Sequence, residues 1–101
     1  MKNMRTIYNF SKWNSTSIET WTATDDCLIT MCGFVSSTGN ESTVTYKING
    51  STKREWTVAG DGYVYGSCEV HFCPKGSILK INMINGSGSQ NMATCSAIAI
   101  E

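Results

Sequence analysis

Thr43-Val-Thr-Tyr-Lys-Ile-Asn-Gly-Ser-Thr-Lys-Arg-Glu-Trp-Thr-Val58 is the stretch that decides the fold class. From Thr43 to Ile48 the side chains alternate without a break: Val44, Tyr46 and Ile48 on one side, Thr43, Thr45 and Lys47 on the other. Successive side chains of an extended chain point to opposite faces, so the run reads as a half-buried strand. Asn49-Gly50 follows at once, and Trp56 and Val58 carry the alternation through Thr52 to Val58. Both central residues of a two-residue turn need positive φ, which Asn and Gly tolerate, so the segment predicts a β-hairpin.

The same rhythm runs outward from the hairpin. Upstream, Trp21-Thr-Ala-Thr-Asp-Asp26 ends a strand in a turn, because Asp side chains bond the backbone just ahead of them. Cys27 to Ser36 is then a long strand, closed by the turn-forming loop Ser37-Thr-Gly-Asn-Glu-Ser42. Downstream, Gly60-Asp61-Gly62 turns into a strand from Tyr63 to Cys73, and Pro74-Lys-Gly76 stops it. Strands over Ser77 to Ile84 and Met92 to Ile100 flank the loop at Asn85 to Ser89. Six to eight strands at this spacing predict an all-β, jelly-roll-like antiparallel sandwich over residues 21–101. Residues 1–20 follow no clean period and are expected to form an arm with short strands, packed on the body by Tyr8, Phe10 and Trp13.

Composition agrees. Five Val, nine Ile, twelve Thr and ten aromatics face only two Leu and five Ala, a balance that favours strands over helices. Eight basic and eight acidic side chains cancel, while Ser, Thr and Asn supply 32 of the 101 residues. A neutral, hydroxyl- and amide-rich surface lacks the basic stripe that nucleic acid requires. No apolar run approaches the ~20 residues that span a bilayer, so membrane insertion is not expected. No apolar stretch follows Lys2 and Arg5, so no signal peptide is expected, and the default is a chain made in a cytoplasm with reduced thiols.

Few residues invite catalysis. His71, the one histidine, lies on the polar side of its strand, and Asp25-Asp26 reads as a turn. No nucleophile elbow or phosphate loop occurs, so no catalytic residue, cofactor or metal is expected. Cys27 and Cys32 repeat the Cys-x4-Cys spacing of Cys68 and Cys73. Within strands, five steps separate two side chains by about 16 Å and place them on opposite faces, which disfavours zinc. Buried free thiols are the favoured reading, with a cross-strand disulfide between one member of each pair as the alternative. The aromatics are better binding candidates. Tyr63 and Tyr65, beside Asp61, could stack on a sugar while the carboxylate meets its hydroxyls, and Trp13 and Trp21 offer similar platforms.

Two strands look apolar on both faces. The strand from Cys27 carries Ile29, Met31 and Val35 on one side and Leu28, Cys32 and Phe34 on the other. That from Ser77 has Ile78 and Ile84 on one side and Leu79, Ile81 and Met83 opposite. A sandwich strand buries one face, so Leu28, Phe34, Leu79, Ile81 and Met83 are expected to meet other subunits, the alternative being that the N-terminal arm or a bulge covers the extra surface.

Thr22-Ala-Thr-Asp-Asp-Cys-Leu-Ile29, Tyr46-Lys-Ile-Asn-Gly50, Pro74-Lys-Gly-Ser-Ile-Leu-Lys-Ile81 and Ser96-Ala-Ile-Ala-Ile100 carry a family resemblance. From Thr20 to Glu101 the chain resembles the small jelly-roll domain of bacteriophage tail-fibre and virion structural proteins, with a topology shared by complement- and tumour-necrosis-factor-like domains. It departs from the pattern at Cys27, where glycine is usual, and at Ser77, where aspartate is usual. The resemblance implies a homotrimer and a non-enzymatic structural or receptor-binding role in a phage or prophage particle. Its partners would be other virion proteins or a host cell-surface glycan, and its place the virion. The alternative from a different class is a small monomeric carbohydrate-binding module.

Overall fold

The computed structural model describes residues 4–60 and 63–100, apart from the side chain of Tyr63. Eight strands follow in chain order: β1 (Met4–Trp13), β2 (Ser17–Thr22), β3 (Cys27–Ser37), β4 (Ser42–Ile48), β5 (Ser51–Val58), β6 (Tyr63–Cys73), β7 (Ile78–Asn85) and β8 (Ser89–Ile100). They pair antiparallel into two four-stranded sheets, ordered β1-β8-β3-β6 and β2-β7-β4-β5. Every connection except the β4–β5 turn crosses from one sheet to the other. This is the double-sheet jelly roll that the strand rhythm predicts. The hairpin turn is where the sequence puts it, with φ of 50° at Asn49 and 79° at Gly50.

The leading residues do more than lie across the body. β1 adds to the edge of one sheet beside β8, and β2 adds to the edge of the other beside β7. Tyr8 and Trp21, one from each, stack at 4.6 Å between ring centres.

The core lies between the sheets. Tyr46 and Trp56 from the hairpin are fully buried and meet edge-on at 5.9 Å. Leu79, Ile81 and Met83 are buried beside them, at most 1 % exposed. This corrects the expectation that these three residues face other subunits. In register, Leu79 pairs with Ile48, Ile81 with Tyr46 and Met83 with Val44, all of which point inward. The outward apolar residues of β7 are instead Ile78 and Ile84, separated by Lys80 and Asn82. Leu28 and Phe34 do lie on the outward side of β3. The sequence could not tell which apolar side of β7 faces the core, because both sides carry isoleucine.

Room for the rings comes from small residues. A methyl group at Gly33 would overlap the Trp56 ring, and the neighbour of Gly33 in register is Ala93. The polar atoms of the rings are also placed. Trp56 donates its indole N–H to Ser67 Oγ at 2.9 Å, and Tyr46 Oη donates to the Cys32 carbonyl at 2.8 Å. At one end of the sandwich, fully buried Asn91 binds the β1–β2 turn: its Oδ1 accepts from Ser15 N and its Nδ2 donates to Ser15 O, each at 2.9 Å.

Cys27, Cys73 and Cys95 are buried free thiols, as the strand pattern favours. Cys32 and Cys68 are not: they are register partners on β3 and β6, joined by a disulfide, and the expectation of free thiols fails for them. Cys27 and Cys73 also oppose one another in register, but alternation makes theirs a wide, hydrogen-bonded pair, whereas Cys32 and Cys68 stand 4.1 Å apart at Cα, close enough to bond.

Burial raises the free thiols. Cys95 is pushed from 9.0 to about 12, mainly by desolvation and then by Cys27 and Cys73, and Cys27 rises to about 11, again mainly by desolvation. The native chain therefore holds protons that the unfolded chain releases, so the contribution to stability is complete below pH 9 and declines above it. Urea midpoints should hold steady below pH 9 and fall between pH 9 and 11. Gly33→Ala should cost about 1–3 kcal/mol by overpacking, lowering the thermal midpoint by roughly 5–20 °C for a domain of this size. Adding Trp56→Phe should recover part of that loss in the same melting experiment.

Candidate functional site

The two outward faces differ in kind. On the β2-β7-β4-β5 sheet, Lys47, Glu55 and Lys80 reach solvent among threonines. On the β1-β8-β3-β6 sheet, no outward position among the described residues is charged. Register arranges that second face in rungs across the strands. One runs Thr6, Ile98, Leu28, Phe72; the next Asn9, Ser96, Thr30, Val70; then Ser11, Thr94, Cys32, Cys68; then Trp13, Met92, Phe34, Gly66.

Two hydroxyl- and amide-bearing rungs therefore lie between two predominantly apolar ones. They floor a shallow depression of about 400 Å³ lined by Asn9, Ser11, Thr30, Cys32, Thr94 and Ser96, with Phe10 and Cys95 behind. A second depression of about 450 Å³ adjoins it, lined by Cys32, Phe34, Val64, Gly66, Cys68 and Met92. The Cys32–Cys68 disulfide borders both, and the missing side chain at Gly66 opens the second. Among the described residues, Asn9, Ser11, Thr30, Thr94 and Ser96 make no side-chain hydrogen bond within the chain. Trp13 stands 65 % exposed at the end of this trough.

The floor is held from beneath. Tyr46 spans the core, and its hydroxyl sits 2.8 Å from the Cys32 carbonyl and 3.1 Å from that of Thr94, the β3–β8 pair under the trough. Desolvation raises the Tyr46 pKa, which keeps the donating proton in place.

Of the aromatics singled out from the sequence for binding, Trp13 borders this trough, while Tyr65 and Trp21 lie elsewhere. Asp61 and the side chain of Tyr63 fall outside the described residues. Tyr65 points away from Val64, as expected, but toward β5, where its hydroxyl accepts from Arg54 Nη2 at 2.6 Å. Arg54 lies between two rings, with its guanidinium carbon 5.1 Å from the centre of Trp56 and 5.7 Å from that of Tyr65. Arg54 Nε is 3.7 Å from Glu69 Oε2, and His71 Nε2 is 3.9 Å from the same oxygen. This cluster joins the margins of the two sheets. Trp21 is taken up by Tyr8, which leaves Trp13 as the free aromatic platform of the leading segment. Among the described residues, no three of His, Cys, Asp and Glu are grouped to hold a metal ion.

The sequence analysis did not single out the trough polar groups. Their signal is a polar residue on each side of an inward apolar one: Asn9-Phe10-Ser11 and Thr94-Cys95-Ser96.

No described protein family matches this chain, and no curated protein matches it. The chain is similar in trace to several solved structures, among them two CBM36 domains. One is the CBM36-1 domain of a multidomain xylanase from the hindgut metagenome of Trinervitermes trinervoides, 12 % identical over 96 % of each chain, with a TM-score of 0.44. The other is the carbohydrate-binding module CBM36 in complex with calcium and xylotriose, 14 % identical over 100 % of this chain and 98 % of that one, with a TM-score of 0.40. Likenesses of this order decide nothing about ligand or activity.

Because the disulfide closes a span of 36 residues, chain entropy assigns it about 3–4 kcal/mol. Reduction, or Cys32→Ser with Cys68→Ser, should lower the urea midpoint by about 1–3 M. Thiol titration of the denatured, unreduced chain should find three free groups.

Proposed function

We propose that the chain is a non-catalytic binding module that holds a neutral glycan along the outward face of the β1-β8-β3-β6 sheet. The observation that carries this reading is a row of five unspent polar side chains, Asn9, Ser11, Thr30, Thr94 and Ser96, set between apolar rungs on a face that carries no charge among the described residues. A sugar has the matching chemistry, with hydroxyls around its rim and apolar C–H faces. Neighbouring strands lie about 4.8 Å apart, a spacing close to the span of a sugar ring. Trp13 supplies a face for stacking, and Phe34 and Met92 supply apolar contact. A charged ligand fits poorly, because its charge would lose water without gaining a partner.

A second reading uses the same face differently. Leu28 and Phe72 form an apolar pair on it. The virion-protein resemblance implies that copies of the chain bury such a surface in a threefold assembly.

Affinity electrophoresis and calorimetry against neutral and acidic polysaccharides test the proposal. Retention by at least one neutral polysaccharide is expected, with little dependence on salt. Thr94→Val and Ser96→Ala each remove one hydrogen bond, about 0.5–1.5 kcal/mol net, so each should weaken binding by up to roughly tenfold. Trp13→Ala should weaken it further. Retention by acidic polymers alone, or affinity indifferent to all three changes, would overturn the reading. A mass of three chains that Leu28→Glu dissolves, together with no glycan retention, would favour the second.

A further inference from the structure

We propose that β6 pairs with β6 of a second copy, antiparallel about Cys68, so that the two β1-β8-β3-β6 sheets become one continuous sheet. This goes beyond glycan binding and does not depend on it.

The four sheet edges are not alike. Exposed edges template strand addition unless something blocks it, usually a bulge, a charge, proline or shortness. β1 has a bulge between Thr6 and Tyr8 and carries Lys12. β2 has only six residues. β5 pairs irregularly at Tyr46/Lys47 and presents Lys53, Arg54 and Glu55 in succession. β6 has eleven residues with neither lysine, arginine nor proline, and its one carboxylate, Glu69, lies 3.7 Å from Arg54 of β5. It stays in unbroken register with β3 from Cys27↔Cys73 to Ser37↔Tyr63.

Its free backbone groups can be assigned. Directly opposed residues of an antiparallel pair alternate between a wide, hydrogen-bonded spacing and a narrow one whose N–H and C=O groups point away. Cys32 and Cys68 are 4.1 Å apart at Cα, the narrow kind. Cys68 therefore turns its N–H and C=O to the free edge, and by alternation so do Val64, Gly66, Val70 and Phe72. Pairing about Cys68 sets Gly66 against Val70 of the second copy and Val64 against Phe72. Each of these pairs joins two outward-turned residues, so the ladder closes along the whole strand.

The side chains agree with the same register. On the outward face, Val64, Val70 and Phe72 are 68 %, 59 % and 55 % exposed, and pairing would cover them with one another. On the inward side, Glu69 would oppose Ser67 and His71 would oppose Tyr65, so no like charges meet. Glu69 keeps Arg54 of its own copy 3.7 Å away and needs no charge from the second. A contact that satisfies itself about a two-fold axis points to a second copy rather than an unrelated strand.

Sedimentation of the unreduced chain over a range of concentrations tests this, with the fold followed by circular dichroism. The wild type should reach twice the 11.1 kDa chain mass. Val70→Pro removes an N–H from the free edge but none from the β3 ladder, so it should stay folded and sediment as a monomer. Phe72→Lys, which keeps every backbone donor, should weaken dimerisation at least tenfold and decides the matter if the proline variant does not fold. Leu28→Glu, on the sheet face away from the edge, should leave the dimer intact. A wild type that stays monomeric up to millimolar concentration would overturn the proposal. So would a folded Val70→Pro or Phe72→Lys variant that associates like the wild type, or a dimer that Leu28→Glu dissolves.

Discussion

Two large rings from one hairpin must fit between two sheets, and the rest of the structure accommodates them. Tyr46 and Trp56 fill the middle of the core, and β3 and β8 make room with Gly33 and Ala93. Close packing leaves little slack in a protein interior, so large residues on one sheet require small ones opposite. Each ring also spends its polar atom across the gap, Trp56 on Ser67 of β6 and Tyr46 on the backbone of β3 and β8. A jelly roll has only one hairpin within a sheet here, so these bridges add to the chain crossovers in fixing how the sheets lie.

The trough follows from that arrangement by alternation. Where β8 turns Ala93, Cys95 and Ala97 inward, Thr94 and Ser96 must turn outward, and β1 does the same with Asn9 and Ser11 around Phe10. Charge divides between the sheets in the same way, with lysines and glutamate on one outward face and none among the described outward positions of the other. A neutral polar face over a ring-filled core suits a ligand that brings hydroxyls and no charge. The disulfide adds rigidity across the β3–β6 pair at the border of both depressions.

Much of this was legible in advance. Unbroken alternation around Asn49-Gly50 marked β4 and β5, and the turn residues at Gly60 and Pro74 placed both ends of β6. The leading segment was harder, because edge strands bury little and show weak periodicity; its aromatics signalled packing but not pairing. The inward face of β7 was ambiguous, since Ile78 and Ile84 are as apolar as the core residues between them. Tyr65 looked available because it follows the Gly60-Asp61-Gly62 turn on the side opposite Val64; Arg54, eleven residues away, engages it.

The order of residues alone determined that this chain forms strands, where most of them begin and end, and that its surface is neutral and rich in hydroxyls. Those properties depend on neighbours within a few positions and on composition. Tertiary structure decided which strands lie side by side, which apolar face of β7 is covered, that Cys32 meets Cys68 while Cys27 and Cys73 stay reduced, and which hydroxyls share a trough. These depend on which distant residues share a rung and, for the two cysteine pairs, on whether that rung is narrow or wide, matters of register that periodicity leaves open.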